Sequence, residues 1–380
     1  MNELHNLIVN EIRASGPIPF SRYMDLCLYH SELGYYSRHA EQFGKSGDFY
    51  TSSDVHAVFG RLLARQFEEI WRALGSPETV TVRELGPGRG LFAQDVLDWS
   101  EKKFPDFFRA LRYLLVEQSP ALRQKIAQTL GRHFASGKAR FDDEMATENA
   151  VRANEELEIV FANEFFDAIP VDVVSRSGSL RIGEKDGWFT ESWAPASAEE
   201  LEFLDRYSIH PEDGERVELC LKAQQYLPAP ENFGRRFFIA VDYGYTRDEQ
   251  LAGRHRGTLK AIRQHSVSAN PYEAPGEQDI TADVNFTALA AILKRRGFEV
   301  LGLVTQSQFL MGIGEADEFA DAFEDCRLPQ ERTKVALQLK HLVTPAGMGE
   351  SFQVLMASRG IEREKVQALA GLNFGRASRT

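Results

Sequence analysis

The segment Val80-Thr81-Val82-Arg83-Glu84-Leu85-Gly86-Pro87-Gly88-Arg89-Gly90 constrains the fold of this chain more than any other. A short β-branched run, Thr79–Leu85, ends in glycines at alternate positions, and an apolar helical pattern, Leu91–Trp99, starts at once. Glycine lets a chain turn through backbone conformations that a Cβ disfavours and lets it approach a ligand closely. The same grammar recurs downstream. Tyr113–Glu117 reads as a strand and Leu122–Leu130 as a helix stopped by Gly131. Leu157–Ala162, Arg236–Asp242, Phe298–Val304 and Phe352–Met356 read as strands, and Phe286–Arg296 as a helix ended by Gly297. Alternation of this kind implies an α/β fold: a mostly parallel, doubly wound, Rossmann-like sheet with helices on both faces.

Other stretches decorate that core. Leu4, Leu7, Ile8 and Ile12 recur at helical spacing, and Gly16-Pro17-Ile18-Pro19 ends the helix they imply. Ser21 is placed to cap a second helix through about Tyr29, and a third runs from about Val55 to Leu74 before Gly75. Val171–Trp193 reads as hairpins with turns at Ser177-Gly178 and Lys185-Asp186-Gly187, and Ala198–Leu227 adds helices. The glycine- and proline-rich stretch from Gly257 to Pro275 reads as a loop. The expected organisation is an N-terminal helical lid segment over residues 1–78, a core over 79–360 with insertions at 171–235 and 305–350, and a sparse tail over 361–380. No repeat is visible.

Acidic residues outnumber basic ones by 56 to 44, a formal charge of -12. That field repels nucleic acid and anionic membranes, so neither is an expected partner, and no apolar run is long enough to span a bilayer. The three cysteines, Cys27, Cys220 and Cys326, are far apart and form no C-x-x-C pair, which argues against a disulfide framework or a zinc finger. With no signal or transit pattern at its start, the chain is expected in the cytoplasm. A homodimer is one arrangement the sequence leaves open. Metal-helix spacings and a G-x-S-x-G elbow are absent, so neither a metal nor hydrolase chemistry is expected.

The glycine turn alone does not name its ligand. Glu84, two residues before Gly86, narrows the choice. A dinucleotide would lay its pyrophosphate at this helix start, where a carboxylate at ~4 Å repels it by about 4 kcal/mol for an effective dielectric near ~20. S-adenosylmethionine has no phosphate, and its ammonium and sulfonium suit a carboxylate. Glu117 closes the second strand, where an acid can accept both hydroxyls of an adenosine ribose. Either glutamate could instead be an ordinary strand-end residue. Gly86, Pro87, Gly88 and Gly90 would then shape the donor pocket, and Asp142, after a weak strand, could meet the adenine amino group or simply sit in an acidic turn.

The strand Leu157–Ala162 lies across the topological switch, so its end faces the ligand crevice. There Asn163, Glu164 and Asp167 offer oxygens that could hold an amine or guanidinium, aim its lone pair at a methyl group and take a proton. Local backbone capping is the competing reading of Asn163 and Asp167. His265 is a candidate general base or a solvated loop histidine.

Several of these segments together resemble the MidA-like family: Gly47-Asp48-Phe49-Tyr50-Thr51-Ser52, Glu84 to Gly90, Asn163 to Pro170, and Asp242-Tyr243-Gly244. Gly257-Thr258-Leu259-Lys260-Ala261 with His265, Pro275-Gly276 leading to Asp279-Ile280-Thr281, and Met348-Gly349-Glu350 fit as well. The resemblance runs from about residue 16 to 357 in matching order. It implies a class I S-adenosylmethionine-dependent methyltransferase, in a family that includes a mitochondrial protein arginine methyltransferase assisting respiratory complex I assembly. It also implies that Phe49, Tyr50 and Thr51 reach the cofactor pocket from the N-terminal side. Ser53-Asp54 stands where the family pattern has Pro-Glu.

The leading expectation is therefore methyl transfer from S-adenosyl-L-methionine to a protein, with arginine as the acceptor because a guanidinium suits paired carboxylates. A small-molecule O- or N-methyltransferase is the alternative enzyme. A donor-binding assembly factor without turnover is the alternative of another class, and a dehydrogenase is the remaining rival.

Overall fold

The computed structural model describes residues 2–38, 57–142, 157–227, 234–263, 266–268, 270–315 and 317–374. Its centre is a sheet whose seven main strands we number in chain order: β1 (Val80–Leu85), β2 (Leu111–Val116), β3 (Ala139–Phe141), β4 (Leu157–Asn163), β5 (Arg235–Tyr245), β6 (Glu299–Thr305) and β7 (Phe352–Arg359). Their spatial order is β3-β2-β1-β4-β5-β7-β6, and the short strand Val284–Asn285 pairs with the end of β5. All pairings from β3 to β5 are parallel, whereas β7 runs antiparallel to both β5 and β6. This is the α/β, doubly wound arrangement that the alternation implies.

The apolar runs explain why these segments become strands. In β4, every residue from Leu157 to Ala162 is buried, as expected of a strand covered on both faces. One face packs Phe161 against Phe92 and Phe67, with ring centroids 4.6 Å and 5.6 Å away. Those rings come from the helices Leu91–Lys103 and Ala57–Ala73. The other face packs Val160, Ala162 and Phe238 against Leu289 and Leu293 of the helix Phe286–Arg295. Each fully buried Leu or Phe contributes about 1.5–3 kcal/mol. From β1 the chain passes to β2 and β3 on one side, and from β4 to β5 on the other. The crevice above the C-terminal ends of β1 and β4 is thus the topological switch point.

A second layer forms around an antiparallel sheet of Ile18–Pro19, Gly178–Lys185, Asp172–Ser175 and Arg216–Leu219, with Trp188–Ala194 paired to Gly178–Lys185. The helices Glu3–Ser15 and Phe20–Tyr29 bury Leu4, Ile8, Phe20 and Met24 against Val173, Leu180 and Ile182 of that sheet. Residues 2–38 and the hairpins after 171 therefore share one apolar core, whereas Ala57–Ala73 belongs to the core of the central sheet.

Two local readings change. Ser21 does not cap its helix. Phe20 already starts it, and the Ser21 hydroxyl donates instead to Asp172 Oδ1 at 2.6 Å, tying the N-terminal segment to the inserted sheet. The stretch after Gly257 is not all loop: Lys260–Arg263 pairs antiparallel with Ser266–Ser268 and with Asp279–Thr281. Cross-strand partners far along the chain override its turn-rich composition there. Residues 363–372 dock back on the molecule, burying Val366 and Leu369, and the Gly371 amide donates to Gln66 Oε1 at 2.9 Å.

Candidate functional site

A cavity of about 490 Å³ opens at the switch point, inside the range of ~300–1,000 Å³ typical of small-molecule sites. Its floor is the turn after β1. Gly86, Gly88 and Gly90 all have left-handed backbone, with φ of 64°, 54° and 78°. The Gly86 amide donates to Val116 O at 3.1 Å, and the Gly90 amide donates back to Pro87 O at 2.8 Å, which closes the turn. A Cβ on Gly86 would stand 2.7 Å from Phe165 Cδ2. A Cβ on Gly88 would meet no atom within 4 Å. Gly86, Pro87 and Gly88 line the cavity, and Gly90 leads the next helix behind them.

Glu84 lines the cavity from within β1 and is only 4% exposed. The Tyr113 hydroxyl, on the neighbouring strand, donates to its Oε2 at 2.9 Å. Burial pushes the Glu84 carboxyl up to about 8, and the Tyr113 bond only partly opposes that rise. A cation brought beside this carboxyl would favour its ionised form. Glu117, just past the end of β2, also lines the cavity. Its Oε1 accepts the Ser119 amide at 2.7 Å, and burial raises it to about 7.

Asn163 and Glu164 come to the cavity at the end of β4. Glu164 adopts φ 48°, an uncommon left-handed conformation for a residue with a Cβ, held by its amide donating to Val241 O at 2.9 Å. The Asn163 side-chain amide donates to Glu164 Oε1 at 3.2 Å. Asp167 is 5% exposed, faces the cavity and accepts the Tyr243 hydroxyl. Burial raises its carboxyl to about 6, against the lowering effect of Tyr243 and of the Ala168 amide.

The roof is the N-terminal segment. The Tyr29 hydroxyl donates to Ala168 O at 2.9 Å, and Tyr36 stacks on Tyr29 with centroids 5.4 Å apart. The Tyr36 hydroxyl donates to Asp279 Oδ1 at 3.2 Å, and Ser119 Oγ donates to Tyr36 O at 3.1 Å. Asp25, Glu84, Glu117, Glu164, Asp167 and Asp279 thus bring six carboxyl groups to the lining, whereas Arg89 is its one positively charged side chain among the described residues.

The structure therefore brings Glu84, Gly86, Pro87, Gly88, Glu117, Asn163, Glu164 and Asp167 to one cavity. It places Asp142 elsewhere. That carboxylate pairs with Arg83, which also binds Glu158 Oε1 at 2.9 Å, and Asp142 is not among the lining residues. Its amide donates to Leu115 O at 2.9 Å, so neither group of Asp142 is turned to a ligand in the way the sequence suggested. Phe49, Tyr50, Thr51 and His265 lie outside the described residues, as do Ser53 and Asp54. Sequence reasoning missed Asp25, Tyr29, Tyr36, Tyr226 and Asp279 in the lining, and Tyr113 behind it. Tyr113 left one faint signal: a phenol among the buried, otherwise apolar positions of its strand, beside a strand with a buried acid that needs a donor.

The lining fits S-adenosyl-L-methionine. Glu84 is a buried and Glu117 a half-buried acid facing the cavity, and the open face of Gly88 leaves room where a side chain would intrude. Comparison with known proteins agrees. A family described as S-adenosyl-L-methionine-dependent methyltransferases matches residues 62–304. The Drosophila melanogaster protein arginine methyltransferase NDUFAF7 homolog, mitochondrial, is 30% identical, covering 94% of this chain and 86% of its own. The Danio rerio protein arginine methyltransferase NDUFAF7, mitochondrial, is 29% identical, covering 95% and 88%. A crystal structure from Burkholderia thailandensis bound to S-adenosyl-homocysteine superposes with a TM-score of 0.79 at 28% identity, over 97% of this chain and 94% of that one. These relatives also correct the expectation of a cytoplasmic address: the fly and zebrafish proteins are mitochondrial.

Proposed function

From the premise that the chain belongs to the MidA-like family of S-adenosyl-L-methionine-dependent methyltransferases, we propose that it methylates an arginine side chain of a protein. The observation that carries the acceptor reading is the acidity of the cavity: beyond the two glutamates assigned to the donor, Asp25, Glu164, Asp167 and Asp279 stand against one guanidinium in the described lining. A cationic acceptor is drawn into such a site, and paired carboxylates match the fork of a guanidinium. The fly and zebrafish relatives are named protein arginine methyltransferases, which supports the same choice.

When bound, S-adenosyl-L-methionine supplies a methyl group already activated by a positively charged sulfur. This chain's own residues do the rest. Glu84 holds the donor's ammonium and Glu117 its ribose hydroxyls, while Gly86 and Gly88 let the backbone come close. Glu164 and Asp167 hold the acceptor guanidinium and aim one nitrogen at the methyl, the positioning on which such a transfer mainly depends. Asp167 accepts the proton that this nitrogen gives up. Tyr29 and Tyr36 roof the cavity and keep water from it.

The test is to incubate the protein with methyl-tritiated donor and a lysate, then hydrolyse the labelled protein. The proposal expects tritium in protein, recovered as methylarginine. Label recovered only in small molecules would favour a metabolite acceptor and overturn the arginine reading.

A further inference from the structure

Asp167 is held from behind by groups that do not line the cavity. The Tyr243 hydroxyl donates to Asp167 Oδ2. The Tyr243 ring is fixed on two sides, edge-on to Phe352 with centroids 5.6 Å apart and beneath Lys260 Nζ at 5.1 Å. The adjacent residue, Asp242, is fully buried, and its Oδ2 accepts the amides of Phe165, Phe166 and Asp167 at 3.1, 2.9 and 3.4 Å. Its Oδ1 accepts the Tyr243 amide at 3.0 Å. One strand end thus grips both the backbone of the turn after β4 and the carboxylate that the turn presents. Simple turn closure does not need a buried acid spanning three successive amides, nor a phenol on the next side chain.

We propose that Tyr243 and Asp242 are positioning residues for proton transfer: Asp242 fixes the turn, and Tyr243 occupies one oxygen of Asp167 so that the other faces the acceptor nitrogen. The inference rests on the reading of Asp167 as the proton acceptor. As the nitrogen loses its proton, that proton goes to the oxygen of Asp167 not engaged by Tyr243. The phenol bond favours the ionised carboxylate, so its loss makes Asp167 harder to ionise. The charged and titratable groups around Asp167 are Tyr243 and Asp242 on β5, Glu164 on its own turn, Lys260 and Asp283 beyond β5, and Tyr29 and Tyr36 in the roof.

The experiment compares wild type with Y243F, which keeps the ring and removes only the donor. Asp167 is followed by NMR of carboxyl-labelled aspartate, with D167N assigning its resonance, so this arm needs no acceptor. The expected result is an ionisation midpoint about one pH unit higher in Y243F, with S-adenosylhomocysteine affinity unchanged. The acid limb of kcat/KM for labelled methyl transfer should move by the same amount, so that kcat/KM at pH ~6 falls about fivefold while recovering at pH ~8. D242N, which weakens the grip on the turn, should lower kcat/KM even at pH ~8, where Y243F recovers. An unchanged Asp167 midpoint in Y243F, or an unmoved acid limb, would overturn the proposal. The identity of the labelled amino acid reports separately on the arginine reading, because the NMR arm does not depend on it.

Discussion

The Tyr113 hydroxyl donates to Glu84 Oε2 at 2.9 Å from the neighbouring parallel strand, beneath the cavity. Among the described residues it is the one side-chain bond that opposes the effect of burial on this acid. Glu84 therefore stands at about 8, well above the ~4.3 of an unfolded chain. Between those values the unfolded chain is ionised while the folded carboxyl is protonated, so stability declines as pH rises from ~4.3 to about 8 and then levels. In E84Q that part of the decline should vanish from a pH series of urea melts. In Y113F the upper end should move to higher pH.

Donor binding reverses the balance, because an ammonium beside Glu84 favours the carboxylate. Calorimetry with S-adenosylhomocysteine in buffers of different ionisation enthalpy should show a proton release at pH ~7 that E84Q reduces by close to one. E84Q should bind roughly 10- to 100-fold more weakly, with no proton released from this position.

Gly88 and Gly86 separate ligand space from packing. Both hold left-handed φ, so a side chain costs about 1–2 kcal/mol of backbone strain at either. At Gly88 an added Cβ meets no atom within 4 Å, so G88V should stay folded and lose measurable S-adenosylhomocysteine binding. At Gly86 the added Cβ meets the Phe165 ring, so G86A should lower the melting temperature more than G88V does. Unchanged calorimetric affinity in G88V would remove this turn from the donor site.

Asp142 gives the opposite pattern. Its carboxylate is committed to Arg83, which also pairs with Glu158, and Glu158 in turn meets Arg236 Nε at 2.7 Å. D142N leaves a largely buried guanidinium short of a partner, so it should destabilise the chain by about 3 kcal/mol. Donor affinity measured below the melting range should be unchanged.

What the sequence made legible follows from the range of the forces involved. The glycine turn could be read because strand, turn and helix are local, and because Glu84 and Glu117 sit at strand ends whose place in a doubly wound sheet is general. Asp242 could not be assigned a role, since three of its four amide partners lie 75–77 residues earlier and no spacing reveals them. The same holds for Tyr29, which roofs the cavity by reaching Ala168, 139 residues on. Asp142 misled because an acid after a strand looks alike whether it faces a ligand or an arginine two strands away in the sheet. Lys260–Arg263 was hidden because its pairing with Asp279–Thr281 overrides a turn-rich composition.

The most direct measurement is a crystal structure of this protein with S-adenosylhomocysteine. The expected placement lays the ligand along the Gly86–Gly88 turn, its ribose hydroxyls on Glu117, its ammonium on the Glu84 side, and its sulfur directed toward Glu164 and Asp167. A ligand seated away from that turn, or one whose ribose and ammonium leave both Glu84 and Glu117 unengaged, would contradict it.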